Sequence, residues 1–136
     1  KLNNLNNQKF KTNVKPFPGA IIDNSFFLLE KSKYKNLNYI LNTSLKTYFK
    51  KRVPGLVIFD LPSTPIYEIL DTKTQIILYI DSVNPFTEKA VSLLHKRVHI
   101  CNSMEQVNNC VERYASNTLK LKYNEEYYRC YVNSSI

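Results

Sequence analysis

The chain has 136 residues, of which 43% are hydrophobic, so it can form one domain with a modest core and is not disordered in composition. No run of eighteen apolar residues is present, which excludes a membrane-spanning helix within this sequence. The net charge of +8 is concentrated in the amino-terminal part. Residues 1–52 hold eleven Lys or Arg and two acidic residues, whereas residues 53–136 hold eight Lys or Arg and nine acidic residues. This asymmetry favours contact with a polyanion. A charge run considered alone is equally compatible with a basic surface that only faces solvent.

The amino-terminal part of the sequence is polar and then amphipathic. Residues 1–16 are rich in Asn and Lys and lack periodicity, so we expect an extended basic arm. Within residues 25–51, apolar residues recur at spacings of three and four, which predicts a helical insertion. Its polar face would carry Lys35, Lys46 and Lys50.

Three short apolar runs follow, and they predict buried strands over Leu56–Phe59, Ile76–Ile80 and Val98–Ile100. Helix signals stand between and after them, so the strands must be joined by parallel crossovers. We therefore predict an α/β domain over residues 17–119, with a parallel sheet between layers of helices. Residues 120–136 are predicted to be an edge strand or a docking tail.

The helix signals of this domain are specific. Thr64-Pro65 and Thr87 are typical helix starts. Ser103 with Gln106 forms a capping box. The helix that Ser103 opens is predicted to pack on the sheet through an apolar face made by Met104, Val107, Val111 and Tyr114.

The cysteines and histidines offer little chemistry. Cys101, Cys110 and Cys130 form no CxxC motif and, with only two histidines in the chain, make a poor zinc ligand set. Free buried thiols in a reducing compartment are the preferred interpretation. The alternative is a secreted or viral-surface interaction domain stabilised by a Cys110–Cys130 disulfide, which the sequons at 42–44 and 133–135 would fit.

The predicted strand ends do not indicate catalysis. Two glycines in the whole chain cannot make a phosphate-binding loop. Asp60 and Asp81 could pair around Mg²⁺, but capping of helices and bonds to loop amides are favoured. His95 and His99 have no nucleophile partner. We predict no catalytic residue, no cofactor and no metal, and hence a protein that is not an enzyme.

Four segments, in chain order, carry a family resemblance. Phe17–Asn24 is similar to W-L-G-G-x-L-T-N, and Arg52–Asp60 is similar to [LK]-P-D-L-[LV]-[IV]-x-x-D. Gln75–Pro85 is similar to a strand and loop that end in D-T-N-x-[DN]-P, and Val98–Met104 is similar to Y-P-I-P-[GA]-N-D-[DA]. The chain resembles the small-subunit ribosomal protein S-two family of bacterial type, in a divergent organellar form that lacks the amino-terminal third.

The resemblance implies a flavodoxin-like three-layer domain with helices on both faces of a parallel sheet, here a partial domain. It implies a structural role in the small subunit of a mitochondrial ribosome, in the matrix. The partners would be small-subunit ribosomal RNA, other ribosomal proteins and a separate chain that completes the domain, with no membrane contact. The candidate RNA-binding residues are Lys9, Lys11, Lys15, Lys31, Lys33, Lys35, Lys46, Lys50, Lys51 and Arg52. A degenerate thioredoxin-like adaptor is a further alternative, but it does not explain the excess of basic residues in 1–52.

Overall fold

The computed structural model describes residues 11–15, 37–40, 43–60, 64–81 and 85–133, and the chain divides into two compact units, Lys1–Ser44 and Leu45–Ile136. In the first unit, β1 (Thr12–Val14) pairs in parallel with β2 (Leu37–Tyr39). The pairing continues past β2, where the Ile40 amide donates to the Val14 carbonyl at 2.8 Å.

This strand pair corrects one expectation for the amino-terminal part. The predicted helix is wrong at Leu37–Tyr39, which is a strand. Leu37, Asn38 and Tyr39 alternate apolar and polar residues, a strand period that the wider three-and-four spacing concealed. The segment predicted to be an extended arm contains the strand Thr12–Val14. The rest of both segments lies outside the described residues, apart from positions flanking these strands and the helix that begins at Leu45.

The second unit is a mixed α/β structure with a three-stranded parallel sheet flanked by helices. The strands are β3 (Leu56–Phe59), β4 (Gln75–Tyr79) and β5 (His99–Cys101), in the order β3-β4-β5. Val57 lies opposite Ile76, and Ile77 lies opposite His99. The three predicted parallel strands are confirmed, each to within one residue at its ends.

The described part of this unit contains five helices, and two of them begin at predicted capping residues. They are α1 (Leu45–Lys51), a 3₁₀ helix (Thr64–Glu68), α2 (Glu88–His95), α3 (Met104–Ala115) and α4 (Glu126–Tyr131). Thr87 caps α2 by accepting from the Ala90 amide at 3.2 Å. Ser103 caps α3 by accepting from the Gln106 amide at 3.2 Å, and the Gln106 side chain accepts in return from the Asn102 amide at 2.7 Å.

The main hydrophobic cluster lies against one side of β4. Successive strand residues point to opposite faces, and Ile76, Leu78 and Ile80 contribute to this cluster together. Residues of the helices and of the turns that follow them complete it; they are Ile66, Ile69, Leu70, Ala90, Leu94, Val98 and Tyr127. The helix start predicted at Thr64-Pro65 opens a 3₁₀ helix that includes Ile66, and Ile69 and Leu70 lie in the turn beyond it.

Helix α3 packs against β4 and β5, and its Val107 and Val111 are buried, as the predicted apolar face requires. At the far end of this helix the Tyr114 hydroxyl lies so close to Gly55 that a Cβ at that position would overlap it. Gly55 thus permits the contact between the start of β3 and the end of α3.

The carboxy-terminal segment docks as a helix. Residues 120–133 contain α4 and no strand, so the edge-strand alternative is wrong for this described part. Tyr127 of α4 is 3% exposed and stacks on Tyr67 of the 3₁₀ helix, with ring centroids 6.3 Å apart. Burial of this aromatic ring holds the segment on the body.

Candidate nucleic-acid interface

Helix α1 presents the basic residues of the second unit to solvent. Leu45 and Phe49, four residues apart, pack against the hydrophobic cluster. The adjacent side of the helix carries lysines at 46 and 50, which are also four apart and are exposed. The amphipathic pattern predicted for this segment therefore holds over its last seven residues.

Two further cations extend this basic surface. Lys51 ends α1 and Arg52 follows it; both are exposed. Cations suit a helix carboxyl end because the last carbonyls carry partial negative charge. In the described residues the ion pairs are Lys96–Glu126 and Arg129–Glu125, and neither pair includes a residue of α1 or Arg52. We call the exposed residues Lys46, Lys50, Lys51 and Arg52 the α1 basic surface.

The amino end of α1 is fixed by a carboxylate from another element. The Lys46 amide donates to Glu68 of the 3₁₀ helix at 3.1 Å. No acidic residue lies in the first turn of α1 itself, so Glu68 supplies the negative charge that a helix start favours. The contact ties the basic helix to the sheet domain.

The six other candidate RNA-binding residues belong to the first unit. Lys11 is exposed and Lys15 half-buried, on either side of β1 in the first unit. Lys9, Lys31, Lys33 and Lys35 lie outside the described residues. The structure thus brings together four of the ten candidates.

The carboxyl ends of β3 and β4 carry exposed carboxylates. Asp60 directly follows β3, and Asp81 lies two residues beyond the end of β4. The residue that caps α2 is Thr87, so the expectation that Asp81 caps the following helix is wrong. Over the described residues, no group of three or more His, Cys, Asp or Glu side chains could hold a metal ion.

A buried arginine lies at the opposite end of the sheet, and no sequence pattern indicated it. Arg97 is 0% exposed. Its Nε donates to the Leu70 carbonyl at 2.9 Å, and one terminal nitrogen donates to the carbonyls of Thr72 at 2.6 Å and Thr74 at 2.8 Å. The other terminal nitrogen donates to the Lys122 carbonyl at 3.4 Å. The guanidinium therefore joins the loop before β4 to the carboxy-terminal segment.

Lys122 and His99 form a second polar cluster nearby. The Lys122 ammonium donates to the carbonyls of His95 at 2.6 Å and Val98 at 3.2 Å. His99 is 9% exposed, and within the described structure its Nε2 has no hydrogen-bond partner. Burial lowers the pKa of His99 to about 4, with help from the charges of Lys122, Arg113 and Arg97.

The three cysteines are free thiols in different environments. Cys101 is buried, Cys110 half-buried and Cys130 exposed, so the expectation of buried thiols is wrong for Cys130. The sulfur of Cys110 lies 3.8 Å from that of Cys101. The Cys110–Cys130 disulfide considered from the sequence is therefore not formed. Burial, with the adjacent Cys110, raises the pKa of Cys101 to about 12.

Comparisons with protein-family models, with curated proteins and with solved structures return no match for this chain. None of the helices in the described ranges combines the length and the apolar character that a bilayer crossing needs. Function must therefore be argued from the chain's own residues.

Proposed function

We propose that this protein is a structural component of the small subunit of a mitochondrial ribosome, where it binds ribosomal RNA and neighbouring ribosomal proteins in the matrix. The observation that carries the proposal is the α1 basic surface, whose four cations are exposed and fixed to a folded α/β body. The proposal assigns no catalytic role to any residue.

The chemistry of RNA recognition supports a surface of this kind. Structured RNA is bound mainly through its phosphates and its shape, and a rigid body that presents Lys and Arg side chains meets that need. Lys50, Lys51 and Arg52 are consecutive exposed cations, so three positive charges lie close together at the end of α1. Tyr48 is half-buried beside Phe49, with ring centroids 6.4 Å apart, which leaves it less suited to stacking on bases.

The segment order that resembles the ribosomal S-two family gives further support. The resembling segments at Arg52–Asp60, Gln75–Pro85 and Val98–Met104 each include or adjoin one strand of the parallel sheet. Three adjacent parallel strands in chain order are compatible with a partial flavodoxin-like sheet. We propose in addition that a separate chain completes this sheet.

The proposal is tested by co-sedimentation of the full chain with isolated small ribosomal subunits from mitochondria over a range of salt concentrations. Each phosphate contact releases counterions, so binding weakens as salt rises. We expect the triple variant Lys50→Ala, Lys51→Ala, Arg52→Ala to lower the slope of log affinity against log salt by about two to three units, one per contact. Its circular dichroism spectrum should match that of the unchanged chain.

The matched control removes the same charge elsewhere. Lys73, Lys89 and Lys120 are exposed and lie in the sequence after residue 52. Their replacement by Ala should leave the salt slope near that of the unchanged chain. Equal losses in the two triple variants would mean that only net charge matters. Absence of the unchanged chain from the small-subunit fraction at low salt would refute the proposal.

A further inference from the structure

Two thiols from different elements meet between the sheet and α3. Cys101 ends β5, and Cys110 lies in the middle of α3, nine residues further along the chain. Their sulfurs are 3.8 Å apart, an S–H···S contact. A disulfide bond is about 2.0 Å long, so the sulfurs need to approach by less than about 2 Å, a distance that side-chain rotation can supply.

We propose that Cys101 and Cys110 are a redox modification site, at which a low-molecular-weight disulfide such as oxidised glutathione converts the two thiols into a reversible disulfide that locks α3 onto β5. The site is independent of the ribosomal proposal. It does not require Cys130, which lies on α4 and is exposed.

The unequal burial of the two thiols sets the order of the steps. Cys110 is half-buried and can meet an oxidant, whereas Cys101 is 2% exposed. The Cys110 thiolate attacks one sulfur of oxidised glutathione, and the first glutathione leaves as a thiolate. The Cys101 sulfur then attacks the Cys110 sulfur and displaces the second glutathione. The two protein thiols lose two electrons and two protons, and the products are one protein disulfide and two glutathione thiols.

A fixed cation beside the pair favours this exchange. Burial raises the pKa of the Cys101 thiol, and the charge of Lys122 opposes this rise in part. The ammonium cannot swing away easily, because the carbonyls of His95 and Val98 accept its hydrogen bonds at 2.6 and 3.2 Å. The resolving thiol thus ionises next to a positive charge, which offsets part of the effect of its burial.

The position of the only methionine gives a direct test. Met104 lies between the two cysteines, so cyanogen bromide cleaves the chain into one fragment with Cys101 and one with Cys110. The full chain carrying Cys130→Ser is equilibrated with oxidised glutathione, its remaining thiols are blocked with N-ethylmaleimide, and the cleaved product is run on a gel without reductant. We expect the two fragments to stay joined and to separate when dithiothreitol is added before cleavage.

The control is the double variant Cys110→Ser, Cys130→Ser, in which the fragments should always separate. In the oxidised Cys130→Ser chain, amide hydrogen exchange within α3 should be slower by about tenfold than in the reduced chain, because the cross-link opposes local opening. Fragments that separate after oxidation, with glutathione retained on Cys110, would overturn the proposal. Joined fragments with unchanged exchange in α3 would overturn the locking of the helix.

Discussion

The buried guanidinium of Arg97 connects backbone segments that are far apart in sequence. Its acceptors are the carbonyls of Leu70, Thr72, Thr74 and Lys122. A single side chain therefore donates hydrogen bonds both to the turn before β4 and to the irregular segment before α4. Planar donors in a fixed fork suit several carbonyls at once, which an ammonium group cannot match. No sequence pattern indicates this arrangement, because the carbonyls converge from segments that are distant in the chain.

Replacement of Arg97 by Met should strongly destabilise the fold. The apolar length of the side chain is retained, but its carbonyl acceptors lose their donors, and an unsatisfied buried polar group costs about 1–3 kcal/mol. We expect the free energy of unfolding, measured by urea denaturation, to fall by at least about 3 kcal/mol. Arg97→Lys should recover less than half of this. Arg129→Met, at a side chain 74% exposed, is the control and should cost under about 1 kcal/mol. Equal effects at the two positions would contradict the role given to Arg97.

His99 makes stability depend on pH in a defined window. Its pKa falls from the ordinary 6.5 to about 4 because the ring is buried and faces the cations Lys122, Arg113 and Arg97. Below pH 6.5 the unfolded chain therefore binds a proton that the folded protein does not accept until the pH approaches 4. The free energy of unfolding should fall by about 2 kcal/mol between about pH 7 and about pH 5.

His95 is the matched control for this pH dependence, since it is the other histidine of the chain and is exposed. Urea denaturation at each pH should show that His99→Gln removes most of the decline, whereas His95→Gln removes less. Burial also lowers the pKa of His95, so a small contribution of the same sign is expected from it. A profile that His99→Gln leaves unchanged would show that this ring does not set the window.

At the scale of elements, prediction succeeded where one segment carries its own signal. The apolar runs of β3, β4 and β5 are flanked by helix starts, and the caps at Thr87 and Ser103 are formed by the predicted residues. Such signals depend on neighbours within about four residues, so a single sequence contains them.

Prediction failed where a partner distant in sequence decides the conformation. Leu37–Tyr39 is a strand because β1 lies beside it, more than twenty residues earlier in the chain. The turn at Thr64–Glu68 is 3₁₀ rather than α, and its Glu68 serves the amino end of α1. The contact between Cys101 and Cys110 arises from the packing of α3 on β5. In each case the deciding contact is tertiary, and residue spacing does not report it.

For the whole molecule, the sheet edge is the feature with the largest consequence for assembly. In the described structure β3 pairs with β4 alone, so one side of β3 presents backbone groups without strand partners. Val57 and Phe59 pack on the hydrophobic cluster, whereas Leu56 and Ile58 point to the other face, and all four residues are half-buried. The described part of the carboxy-terminal segment is helical and adds no strand. An apolar open edge of this kind promotes pairing with another chain.

We therefore expect the isolated chain to self-associate as its concentration rises from about 1 to about 100 µM, the range in which exposed strand edges cause aggregation. Sedimentation velocity measures this. Ile58→Lys places a charge on the edge strand and should keep the chain monomeric, whereas Ile58→Val, which preserves strand propensity and apolar character, should associate like the unchanged chain. At low salt, the loss of a phosphate contact changes the bound fraction least. If a separate polypeptide adds a strand at β3 in the ribosomal subunit, Ile58→Lys should also lower co-sedimentation under this condition. An unchanged chain that stays monomeric over the whole range would show that this edge needs no covering partner.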